Sequence, residues 1–132
     1  LTLVSGSYLE GTTVFGDGTT NYAVYGSTTG GIEAVTMGAV SADAGSSITI
    51  NLAGLVITEE ANLTLITASS GTDLDNLLIS LVGYDSTEWI VKAAWNAEGT
   101  ALLLNIQTIP EPAMAAALLG LLALALVSRR RK

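Results

Sequence analysis

The sequence predicts a mainly β protein: an antiparallel β-sandwich of jelly-roll character, followed by one C-terminal hydrophobic helix. Three observations predict it. Residues 1 to 108 are rich in Gly, Thr, Ser and β-branched residues. Short apolar alternations recur through them, separated by turn-forming residues. From Ala113 to Val127 the chain is then unbroken in its apolar character. The capped end of a β-solenoid is the alternative arrangement of the same strands. The Gly/Thr/Ser-rich first half has that texture, although no repeat of fixed period emerges.

Taken in order, candidate strands run over Leu1–Val4, Tyr8–Phe15, Asn21–Tyr25, Ile32–Met37 and Ser47–Leu52. They continue over Asn62–Thr67, Leu77–Val82, Glu88–Ala94 and Ala101–Gln107. Gly16-Asp17-Gly18, Ser27 to Gly31, Ala44-Gly45-Ser46 and Ser69-Ser70-Gly71 separate them, as do Gly83 to Ser86 and Asn96 to Gly99. Gly, Asn and Asp tolerate the positive φ that tight turns require, so these segments break strands for a physical reason.

Alternation locates the core. Ile48, Ile50 and Leu52 share one face of their strand, opposite Ser47, Thr49 and Asn51. Leu102, Leu104 and Ile106 oppose Leu103, Asn105 and Gln107, and Trp89, Val91, Ala93 and Trp95 oppose Ile90, Lys92 and Ala94. The strands 77–82, 88–94 and 101–107 read as an antiparallel meander, with Asn96 to Gly99 closing its second hairpin.

Charge and composition narrow the chemistry. The 132 residues carry a net charge of -7, and four of the five basic residues are the terminal cluster. Residues 1 to 109 therefore set Lys92 alone against eleven carboxylates, a local charge of -10. Such a surface repels phosphate backbones, so no nucleic-acid partner is expected. Cysteine and histidine are both absent. That removes disulfides, thiolate ligands and the usual Ser-His-Asp and Cys-His arrangements. The expectation is a protein that is not an enzyme, with no cofactor and no metal site. A surface hydrolase with paired carboxylates is the weakest alternative, and no motif marks one.

The chain begins at Leu1, with neither an initiator Met nor a secretory signal. The expected reading is the C-terminal part of a longer protein, divided into an acidic β domain over 1–108 and a C-terminal segment over 109–132.

Pro110 and Pro112 lack amide donors, have fixed φ and push their predecessors toward extended backbone. The strip around Glu111 is thus expected to be stiff, extended and solvated, a form that a processing enzyme can grip. Pro112 also suits the first position of a helix, with Glu111 at its positive end. The run 113–127 is built almost wholly from strong helix formers and has no polar face, so it belongs in lipid or in a fully buried setting. Its fifteen residues rise about 22 Å, short of a hydrocarbon core of roughly 30 Å. Snorkelling by Arg129, Arg130, Arg131 and Lys132, or local thinning, narrows that gap. The same four charges favour the cytoplasmic side, leaving everything before Pro110 outside. A plain C-terminal membrane anchor has the same physical properties.

Pro110-Glu111-Pro112, a short Ala/Leu helix and an Arg-rich terminus, in that order at the chain end, resemble the PEP-CTERM sorting signal of Gram-negative envelope proteins. The resemblance covers about the last 23 residues. It implies recognition by exosortase, a multi-pass membrane enzyme thought to cleave near the motif and to release or transfer the protein to the cell surface. It also implies that Pro110, Glu111 and Pro112 form the recognition motif. The run 113–127 would be a transient transmembrane anchor contacting lipid, and Arg129 to Lys132 a retention cluster. Exopolysaccharide is a further partner suggested by the biofilm-forming hosts of that family. The function so implied is that of an exported structural protein of the cell surface or extracellular matrix, held briefly in the inner membrane.

Other residues carry weaker alternatives. Asp73-Leu74-Asp75-Asn76 and Gly16-Asp17-Gly18 hold oxygen ligands suited to Ca²⁺ but match no complete calcium loop, and solvated turns are the better reading. Tyr84, Trp89 and Trp95 could form a stacking platform for sugars, which makes a carbohydrate-binding module the alternative function. Trp89 and Trp95 share their side with Val91 and Ala93, so core packing is the favoured reading for both. Asn62-Leu63-Thr64 satisfies the glycosylation triplet and carries little weight in a bacterial protein.

Overall fold

Alternation in sequence becomes alternation in burial in the computed structural model, which describes residues 2–109. Eleven strands form: β1 (Thr2–Val4), β2 (Tyr8–Leu9), β3 (Thr13–Phe15), β4 (Gly18–Ser27), β5 (Gly31–Ile32) and β6 (Val35–Ala42). β7 (Ser46–Val56) and β8 (Ala61–Thr72) follow, then a single 3-10 turn at Leu74–Asn76. β9 (Leu78–Val82), β10 (Trp89–Trp95) and β11 (Ala101–Thr108) complete the series. The protein is mainly β, in two sheets. The first runs β1-β4-β7-β9, with β5 beside β4, and the second runs β10-β11-β8-β6-β2, with β3 also on β6.

The pairing direction corrects the expectation of an antiparallel sandwich. β1 with β4, β4 with β7 and β7 with β9 are all parallel. So are β2 and β3 with β6, and β6 with β8. Only β4–β5, β8–β11 and β10–β11 are antiparallel. Parallel neighbours need a long crossover between them. Here the crossover is supplied by the strand of the other sheet, so a short polar turn carries the chain across rather than back beside itself. Thr2 stands beside Asn21, Asn21 beside Thr49 and Thr49 beside Ser80, so successive passes differ in length and no fixed period shows in the sequence.

The expected meander divides in the same way. β9 joins the first sheet on β7, while β10 and β11 form a hairpin in the second. Ser69-Ser70-Gly71, expected as a break, lies inside β8, where Ser70 and Gly71 pair with Ala39 and Val40. Small residues lack side chains to pack, yet a strand already held by a parallel neighbour runs through them.

The predicted core faces are buried. Ile48, Ile50, Leu52, Leu102, Leu104 and Ile106 are all essentially inaccessible. They meet Tyr22, Val24 and Leu3 from the first sheet and Val35, Met37 and Val40 from the second. Leu65 and Ile66 are consecutive in β8 and both fully buried. The register between β8 and β11 shifts here, and such a bulge turns two successive side chains inward. The Tyr22 hydroxyl donates to the Leu65 carbonyl oxygen at 2.7 Å, bridging the two sheets. Burial pushes this phenol up to about 12, against the opposing influence of hydrogen bonding with Ser5 and the Val35 backbone.

Among the described residues no helix is long and apolar enough to cross a membrane. The expected motif Pro110, Glu111 and Pro112, the run 113–127 and the cluster Arg129 to Lys132 lie outside the described residues.

Candidate functional site

β9 and β10 are the last strands of their respective sheets at one end of the domain. Each is flanked by a partner strand on one side only. Trp89, Ala93 and Trp95 are consequently half-buried, packed against the core cluster, while Val91 between them is buried. Leu77 and Ile79 from the β9 side and Ala93 and Trp95 from β10 form the apolar wall of a cleft of about 390 Å³. Asp73, Asp75 and Glu98 line the same space, and no basic residue does.

The acidic wall is positioned by two turns that pack on each other. Asp73 precedes the 3-10 turn with φ 57, the one non-glycine left-handed residue among those described. Asp tolerates that region better than most residues, because its short polar side chain can engage backbone locally. The Asp73 side chain makes no capping hydrogen bond to the turn, so its carboxylate is not spent on its own backbone. Leu74, next in sequence, is buried and anchors the turn to the core.

The second turn, Asn96 to Gly99, is held by its own asparagine. Asn96 Oδ1 accepts from the Thr100 and Ala101 amides at 2.8 and 3.2 Å, and its Nδ2 donates to Thr100 Oγ1 at 2.9 Å. The Gly99 amide donates to the Asn96 carbonyl at 3.1 Å, and the Thr100 carbonyl accepts from Ala68 at 2.8 Å. Asn96 is thereby committed to structure, which leaves the exposed Glu98 at the tip as the polar group facing outward. The two turns meet where Gly71 packs against Gly99, so closely that a Cβ on Gly71 would strike the Gly99 carbonyl oxygen.

Trp95 supplies both an apolar surface and an unsatisfied polar atom. Its Nε1 is buried and has no hydrogen-bond partner among the described residues. A buried donor left unpaired costs about 1–3 kcal/mol.

The aromatic platform suggested by Tyr84, Trp89 and Trp95 is not assembled at this cleft. In β10 Trp89 stands opposite Thr108 and Trp95 opposite Leu102, at the two ends of the strand. With a rise of roughly 3.3 Å per residue they are about 20 Å apart. Trp95 alone lines the cleft, and Tyr84 packs against the core. Of the suggested calcium ligands, Asp73 and Asp75 border the cleft, while Asp17 sits by Gly45 at the β3–β4 turn. Among the described residues no three carboxylates converge closely enough to hold a metal ion.

Sequence reasoning did not link Glu98 with Asp73 and Asp75. The one signal available was that each belongs to a turn next to a strand with an inward apolar face. Asn62 and Thr64, of the glycosylation triplet, lie in β8, and Asn62 Oδ1 accepts from Asn105 Nδ2 across the β8–β11 pair.

The chain leaves the described domain at the opposite end of β10 from the cleft. The Ile109 amide donates to the Glu88 carbonyl at 3.3 Å, one residue before Pro110. Compared with protein-family models, curated proteins and solved structures, the chain matches none.

Proposed function

We propose that this chain is an exported structural protein of a bacterial cell surface or extracellular matrix, delivered by its own C-terminal signal. An exosortase-like membrane enzyme recognises Pro110, Glu111 and Pro112. The run 113–127 holds the chain in the inner membrane, and Arg129 to Lys132 keep its end cytoplasmic. The protein is then the substrate of that chemistry and contributes no catalytic residue to it. We read the domain before the signal as the capped end of a short β-solenoid, its parallel stacks closed by the antiparallel β10–β11 hairpin.

One observation carries this reading: the ordered tail of proline motif, apolar run and basic terminus. Two others support it. Among the described residues β11 runs to Thr108, and the Ile109 amide donates to the Glu88 carbonyl at 3.3 Å, so the motif follows the sheet directly in sequence. The domain's charge of -10 suits solubility outside the cell by self-repulsion.

Replacing Pro110, Glu111 and Pro112 together by Ala, in a host that processes the native chain, tests it. Full-length protein should accumulate in the inner membrane. A triple variant that is still cleaved and surface-located would sink the reading.

A further inference from the structure

The cleft at the β9–β10 end has a chemistry that the sorting signal does not use. Its apolar lining includes the half-buried Trp95 with Leu77 and Ile79. Its charged groups are Asp73, Asp75 and Glu98, which as carboxylates accept hydrogen bonds and donate none, while the Asn96 side chain is engaged in its own turn and the Trp95 Nε1 is an unpaired donor. A complementary ligand must therefore be rich in donors and present an apolar face. It cannot be an anion, since the cleft has no basic residue and belongs to a domain of charge -10.

Two ligand classes are drawn to carboxylate acceptors of this kind, a compact cation and a neutral saccharide. A compact cation is best held by acceptors that converge on one point. Here no three carboxylates converge among the described residues. Acceptors spread around an indole instead match a pyranose, whose C–H face lies on the ring while its hydroxyls radiate to the rim. We infer that the cleft between β9 and β10 is a binding site for a neutral oligosaccharide, with Trp95 as the stacking surface and Asp73, Asp75 and Glu98 as hydroxyl acceptors.

The site does not depend on the tail. Among the described residues it lies a strand length from Ile109, at the other end of β10. Failure of either reading leaves the other standing.

The test uses the full chain in a zwitterionic detergent without a sugar headgroup. The protein has two tryptophans, so in a Trp89→Phe background Trp95 is the only indole. Cellohexaose, laminarihexaose and mannohexaose are titrated as neutral probes and hexagalacturonate as an anionic one. At least one neutral hexasaccharide should shift the Trp95 emission saturably, and hexagalacturonate should bind at least roughly tenfold more weakly. Glu98→Gln lies on an exposed turn and should weaken binding on the order of tenfold, the loss expected for one hydrogen bond to a charged acceptor. Trp95→Ala, read by calorimetry, should abolish binding. The inference is overturned if no neutral hexasaccharide produces a saturable response, or if Glu98→Gln binds as tightly as the parent. It is equally overturned if calcium or tetramethylammonium alone reproduces the shift, or if the oligosaccharide is cleaved during the titration.

Discussion

Tyr22 in β4 and Leu65 in β8 are joined by a hydrogen bond of 2.7 Å that crosses the core from one sheet to the other. The phenol is almost completely buried, and Leu65 lies at the bulge where β8 changes register against β11. One side chain thus ties the parallel stack of the first sheet to the point where the second sheet turns antiparallel.

Removing the hydroxyl leaves the Leu65 carbonyl without that donor, at a cost of about 1–3 kcal/mol. Tyr22→Phe should lower the urea midpoint with little change in the slope of the transition. The pH response has a definite sign. The folded phenol is raised to about 12 from an unfolded value of 10.0, so its contribution is intact below pH 10 and is lost as pH rises toward 12. Stability measured across that window should fall more steeply in the native chain than in Tyr22→Phe.

Thr28 closes the far end of the β4–β7 pair. Its Oγ1 accepts from the amides of Thr58 and Glu59 at 3.0 and 3.3 Å, while its own amide donates to Val56 at 3.0 Å. Thr28→Val keeps the shape and removes the acceptor. A destabilisation of about 1–2 kcal/mol is expected in chemical unfolding, with faster amide exchange confined to residues 57–60.

The two turns at the cleft respond differently to substitution. Gly71→Ala places a methyl against the Gly99 carbonyl oxygen and Leu74, so the Asn96 to Gly99 turn must shift, at about 1–3 kcal/mol. Asp73→Gly relieves a left-handed residue and should stabilise the fold by up to about 1 kcal/mol while removing one carboxylate from the cleft. Thermal unfolding of the two variants should therefore move in opposite directions.

Asp85 offers a second titration of known sign. Hydrogen bonds from the Thr87 hydroxyl and amide, with the Glu88 amide, hold its carboxyl below the usual carboxylate range despite full exposure. This contribution is present above the ordinary carboxylate value and fades as pH falls through the lowered one. In an acid titration followed by NMR, Asp85 should protonate below the usual carboxylate range, and Thr87→Ala should raise its midpoint.

Most strand positions were legible because burial on one face writes a period of two into the sequence. Ile48, Ile50 and Leu52 needed no other information. Pairing direction was not legible for a related reason. Alternation says which face is covered, but Thr49 carries no mark of having Asn21 and Ser80 as neighbours. Unequal passes hid the repeat that would have revealed the parallel stack. The cleft was hidden for the same cause, since Asp73 and Glu98 line one space only after β8, β11 and β10 have been set side by side. Trp89 and Trp95 looked equivalent in sequence, and their positions at opposite ends of β10 separate them.

The covalent end of the surface-located protein reports on the role of the tail without an intermediary. In a host that processes the native chain, the surface fraction is collected and its C-terminus determined by mass spectrometry. A species ending at or near Pro110-Glu111-Pro112 is expected, without the run 113–127 and the basic cluster. Surface-located protein that retains Lys132 as its intact C-terminus would contradict it.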